Sequence, residues 1–175
     1  MNTAVVRQLL RDRPLWRVRW RDRDWVASCW WMLPLDRVHH LLDDVRLLAG
    51  MEPPSDVLNY GTGHLARPLL VDGHPAYMAA DDGRLLALLT LPVVGRSIVV
   101  GVDHRVVEVA RGWWPDALMV AAGVPPQWLL WMVDGQMVAA AALTHLEWWI
   151  TPGPGVGATV RPPDETMTSE QVRVC

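Results

Sequence analysis

Eleven tryptophans and no phenylalanine occur in this 175-residue chain, and six of the eleven stand in adjacent pairs: Trp30-Trp31, Trp113-Trp114 and Trp148-Trp149. Along a strand, neighbouring side chains point to opposite faces. A Trp-Trp pair in a strand therefore needs both faces covered, or one indole stands in water. Each indole carries roughly 150–250 Å² of buriable surface, so three left outside and close together would form a patch of about 450–750 Å², at or above what a monomer usually tolerates. The pairs point to a contact surface for a protein partner or a second copy of the chain, with Trp30, Trp31, Trp113, Trp114, Trp148 and Trp149 as its candidate residues.

With 51% hydrophobic residues the chain can build a sizeable core without disulfides or metal, and one compact domain over residues 1–150 is expected. The most apolar run, Met132 to Leu146, is interrupted by Asp134, Gly135 and Gln136, which argues against a membrane span. Arg7, Arg11 and Arg13 precede no long apolar segment, so the N-terminus does not read as a signal peptide. Two cysteines, Cys29 and Cys175, make no disulfide framework, and a reducing cytoplasmic setting fits. Cys29, inside a Trp-rich strand, reads as an inert buried thiol.

All sixteen basic residues are arginine. With few Asn, Ile and Tyr as well, this suits a GC-rich genome, such as an actinobacterium or a phage or mobile element within one. The absence of lysine removes a Walker A lysine, a Schiff base and lysine-dependent nuclease triads. The net charge of −3 is uneven: residues 1–25 hold seven arginines against three aspartates, whereas the rest holds nine against sixteen acids. A basic N-terminal quarter favours nucleic acid or an acidic partner.

Val5, Leu9 and their neighbours predict a helix over Thr3–Asp12, stopped by Pro14. Trp16-Arg17-Val18-Arg19-Trp20-Arg21 alternates as a half-exposed strand; the chain turns at Arg21-Asp22-Arg23-Asp24, and Trp25–Met32 returns as a second strand. Residues Pro34 to Gly50 carry the most regular helical periodicity, with Leu35, Val38, Leu41, Leu42, Val45 and Leu48 on one arc. A loop over Met51–Gly63 precedes strand-like segments at Pro68–Val71, Ala76–Ala80, Leu85–Leu91, Ser97–Val102 and Val106–Val109. Trp114–Val124 suggests a short helix, and Asp134-Gly135 joins Trp128–Val133 to Met137–Leu143 as a hairpin. Leu15–Leu35, His74–Val94 and Gln127–Leu146 resemble one another as three hairpins would within one sheet. From Thr151 the Pro/Gly-rich composition predicts a flexible or surface-draped tail over residues 151–175. The expected class is α+β, an antiparallel sheet built from hairpins with two or three helices on one face.

Three constellations carry candidate chemistry. Arg17, Arg19 and Arg21 project from one strand face at a repeat of about 6.6–7 Å, close to phosphate spacing; with Arg11, Arg13 and Arg23 they form a candidate nucleic-acid site. His39–Asp43 and His40–Asp44 are spaced i,i+4, which on a helix brings paired metal ligands together, and Asp103-His104 closes an apolar strand where a metal-dependent nuclease or hydrolase would place a carboxylate. Gly61-Thr62-Gly63-His64 is too short for a phosphate loop. No coherent catalytic set emerges and no motif implies a cofactor. The expectation is a non-catalytic accessory or adaptor protein acting through a Trp-rich interface. Nucleic-acid association and a small metal-dependent hydrolase or nuclease are the alternatives.

Overall fold

A computed structural model of the chain describes residues 3–42, 45–50, 63–93, 96–152, 158–161 and 172–174, with side chains described up to residue 146 except that of residue 93. The elements are α1 (Thr3–Leu9), β1 (Trp16–Trp20), β2 (Arg23–Ala27), β3 (Trp31–Pro34), α2 (Leu35–Val38), a 3₁₀ turn (His39–Leu41), β4 (His64–Leu65), β5 (Arg67–Pro68), β6 (Leu70–Val71), β7 (His74–Ala79), β8 (Leu85–Val93), β9 (Arg96–Asp103), α3 (His104–Trp113), β10 (Leu118–Gly123), β11 (Pro126–Val133), β12 (Gln136–Ala142), β13 (Thr144–Pro152), β14 (Ala158–Arg161) and β15 (Val172–Val174). The class is the expected α+β, and the strands divide between two antiparallel sheets. The first runs β1-β2-β3-β12-β11-β10-β4; the second runs β14-β13-β9-β8-β7-β15, with β5 beside β8 and β6 beside β7. No helix among the described residues is long and apolar enough to cross a membrane.

The main core lies where α1 and α3 meet both sheets. Val6 and Leu9 of α1 and Val106 and Ala110 of α3 pack with Val26, Trp31, Leu129 and Trp131 of the first sheet and Leu89, Leu91, Val100 and Val102 of the second. The opposite face of the first sheet holds a separate buried cluster containing Val18, Trp20, Trp25, Met32, Trp128 and Leu130. Both faces of that sheet therefore bury indoles. Cross-strand neighbours show how the volume is accommodated: Trp131 lies opposite Ala139 and Trp128 opposite Ala142, Trp31 opposite Ala141, and Trp16 opposite Ala27. Opposed residues on one face sit about 4.5–5.5 Å apart at Cβ, so an alanine there leaves room for an indole.

Most of the described indoles are accommodated within the chain itself. Trp20, Trp25, Trp31, Trp128 and Trp131 are all buried; Trp16, Trp113 and Trp114 are half-buried; Trp30 alone among the described tryptophans is exposed.

The turn read within residues 21–24 falls at Arg21-Asp22, between β1 and β2, and the Asp134-Gly135 turn is present. Asp134 and Gly135 adopt φ of 49° and 72° between the closing pair Val133 and Gln136, the left-handed geometry that suits Asp-Gly. Other expectations gave way to tertiary pairing. The helix over residues 34–50 ends at Val38, and Leu48 instead bridges to Trp16. There the backbone hydrogen bonds Arg17 N to Leu48 O (2.8 Å) and Leu48 N to Leu15 O (2.9 Å) satisfy the open edge of β1. Val106–Val109 is helical rather than a strand, because Asp103 accepts from Arg105 N at 2.9 Å and caps α3. Leu118–Gly123 is a strand rather than a helix, since it pairs with β11 along its whole length. Hairpins β1–β2 and β11–β12 belong to the first sheet and β7–β8 to the second, so the three do not share a sheet. The C-terminal stretch contributes β14 and β15, which pair with β13 and β7 at the two edges of the second sheet. The Met51–Thr62 portion of the expected loop lies outside the described residues, as do residues 153–157, 162–171 and 175.

Candidate functional site

Four separate pieces of chain line an open cavity of about 520 Å³: Asp12 and Arg13 after α1, Ser28, Cys29 and Trp30 between β2 and β3, Asp82 to Leu85 at the β7–β8 turn, and His104 and Arg105 at the start of α3. The wall made by residues 28–30 exists because the expected continuous strand Trp25–Met32 breaks there. Ser28 N donates to Trp31 O at 2.9 Å, and Trp30 N donates to Ser28 Oγ at 3.1 Å. A serine hydroxyl competing for backbone in this way favours a bend over a ladder. The bend turns Trp30 outward to 46% exposure while Trp31 stays at 0%. It also leaves Cys29 exposed, not buried as its sequence context suggests.

The floor of the cavity is a charge network around Arg105. Its guanidinium donates to both oxygens of Asp103, at 2.6 to 3.2 Å, and to both oxygens of Asp12, at 3.2 and 3.0 Å. Asp103 is 3% exposed, and its hydrogen bond is the main cause holding the Arg105 guanidinium above its ordinary basicity. Asp12 also accepts from Trp31 Nε1 at 3.1 Å. One buried indole is thereby tied to the helix start.

At the mouth, Arg84 Nε donates to Asp82 Oδ2 at 2.6 Å, and its guanidinium carbon lies 4.4 Å from the Trp30 ring centroid. The backbone N–H of Arg84 and then its side chain hold the Asp82 carboxyl below the usual carboxylate range. His104 Nδ1 lies 3.0 Å from Leu85 O. A carbonyl only accepts, so Nδ1 is the donor in this contact.

The residues singled out from sequence are distributed as follows. Trp30, Arg13 and His104, drawn from three different constellations, line this one cavity. Trp31 cannot serve an interface, because it is fully buried and bonded to Asp12. Trp113 and Trp114 meet edge to face at 5.3 Å and pack against the main core, with Arg37 5.8 Å over Trp114. The side chains of Trp148 and Trp149 lie outside the described residues.

Arg11 is exposed. Arg17 and Arg19 are exposed as the alternation required, but both pair with Asp24. Arg21 and Arg23 lie over Trp20 and Trp25, at 4.9 and 5.6 Å, and Arg23 also pairs with Asp36. The row thus has internal partners for both its charge and its indole faces. His39 and His40 stand edge to face in the 3₁₀ turn. The α-helical spacing that would aim them with Asp43 and Asp44 is absent at the histidines, and those two aspartates lie outside the described residues. Asp103 is engaged by Arg105 rather than open to a metal. Among the described residues no three metal-ligating side chains gather.

Sequence reasoning missed Asp12, Cys29, Asp82, Arg84 and Arg105. They come from segments as far as 93 residues apart, Asp12 to Arg105, that only the two-sheet topology brings together, and no local spacing signals them. No family model matches the chain, and neither the curated proteins nor the solved structures contain a match to it.

Proposed function

We propose that this chain is a non-catalytic accessory protein that docks on a protein partner through the surface around Trp30. One observation carries the reading: an exposed indole is held in a fixed pose beside a cavity. Its backbone N–H donates to Ser28 Oγ, its carbonyl accepts from Ala142 N at 2.8 Å, and its ring lies under the Arg84 guanidinium. Tryptophan and arginine dominate interface energetics, and a pair ordered before association loses little side-chain entropy on binding. The lysine-free composition suits a high-GC bacterium or a phage or mobile element within one, and the setting in this reading is the cytoplasm.

Site-specific photo-crosslinking in the source cell tests the proposal. A benzophenone side chain at position 30 is expected to give a discrete protein adduct, which for self-association is a dimer of this chain. The same group at Arg111, exposed near the end of α3, should give none. Equal adducts from both positions, or none from position 30, reject the surface.

A further inference from the structure

We propose that the cavity beside Trp30 is a binding site for a small oxyanion, a carboxylate or a phosphate. Hydrogen-bonding capacity at the cavity favours an anion. Asp12 and Asp103 direct all four oxygens at Arg105, and Asp82 is taken up by the backbone and Nε of Arg84. The carboxylates of the site position arginines; they do not form an open cation cage.

The donors are another matter. Arg84 is fixed along one edge by Asp82 and across one face by Trp30, and among the described residues nothing accepts from its Nη1 or Nη2. Its side chain is only 21% exposed. A guanidinium is a rigid fork matched to carboxylate and phosphate oxygens. Fixing it in advance removes most of the entropy cost of using it.

Two further groups add to the donor surface. Arg13 stands at the rim with no ion pair among the described residues. Ser28 is 2% exposed, and its Oγ accepts from Trp30, which leaves the hydroxyl proton to donate. The cavity volume, about 520 Å³, falls in the range of small-ligand sites, roughly 300–1,000 Å³. The inference stands apart from the partner reading, because a free oxyanion fills the cavity whether or not a protein covers Trp30.

Cys29 supplies the reporter, since its exposed thiol lines the same cavity. The full chain is alkylated with iodoacetamide, which is uncharged, in sodium chloride, sodium succinate or sodium phosphate at matched ionic strength. Modification of Cys29 is followed by peptide mass spectrometry, which separates it from Cys175. At least one of the two oxyanions is expected to slow Cys29 alkylation in a saturable way. Protection by succinate alone assigns a carboxylate ligand, and protection by phosphate alone assigns a phosphate. Arg84→Gln should raise the half-protecting concentration by about tenfold or more, because charge-assisted bonds to the fork are lost. Arg17→Gln, on the exposed face of β1, should leave it unchanged. If Arg84→Gln fails to fold by circular dichroism, Arg13→Gln at the rim carries the same test, with weakened protection expected. Alkylation no slower in either oxyanion than in chloride overturns the proposal. So does a folded arginine variant protected as well as the parent.

Discussion

Replacing Arg105 by leucine is expected to destabilise the chain severely, and the cause can be isolated. The substitution removes three donated contacts to Asp103 and two to Asp12. Asp103, 3% exposed, is left with a carboxylate whose remaining described hydrogen-bond donor is the backbone N–H of residue 105. Removing one partner of a buried ion pair costs about 3–5 kcal/mol, chiefly because the other charge stays buried. With a urea m-value of about 2 kcal/mol/M, the unfolding midpoint should fall by roughly 1.5–2.5 M. Urea titration followed by tryptophan emission and circular dichroism measures this directly. Adding Asp103→Asn removes the charge but keeps a side-chain oxygen that can cap α3, so the double variant should recover most of the loss. A single variant that loses less than about 1 kcal/mol, or a double variant no more stable than the single, would show that the buried Asp103 charge is not the cause.

Two further outcomes follow from the same structure. The Asp24 carboxyl, held below its ordinary range first by its hydrogen bond from Arg17, adds stability above its unfolded-state pKa and loses it as pH falls through the folded one. In an NMR pH titration its midpoint should rise on Arg17→Ala, and an unmoved midpoint contradicts the pairing. Ala139→Leu, opposite the buried Trp131, should cost about 1–3 kcal/mol by overpacking, read by thermal or urea unfolding; a neutral effect would mean that alanine is not what makes room for the indole.

Much of the fold was legible because the signals are local. The alternation of Trp16 to Trp20 and the Asp134-Gly135 turn depend on period and turn chemistry, and both hold. The segment from Pro34 to Gly50 misled because helical spacing is a weak preference that tertiary pairing overrides. The hydrogen bonds from Leu48 to β1 supply that pairing, and sequence periodicity does not encode them. Val106 to Val109 misled in the opposite direction: β-branched residues favour a strand, yet the Asp103 cap and the burial of Val106, Val107, Val109 and Ala110 on one helical face prevail. The candidate cavity was legible only in fragments. Trp30, Arg13 and His104 each attracted attention for unrelated reasons, whereas Arg84 and Cys29 carry meaning only once the bend at Ser28 and the β7–β8 turn are side by side.

Trp30 and Trp31 divide their labour, one facing outward and the other filling the core. Trp30→Ala and Trp31→Ala, compared in the same urea titration, test it most directly. Trp31→Ala should cost about 3–5 kcal/mol, as for a large core side chain, with its hydrogen bond to Asp12 lost as well. Trp30→Ala should cost about 1 kcal/mol or less, the scale of an exposed cation–π contact with Arg84. Equal costs, or a larger cost at Trp30, would overturn this division between the two indoles.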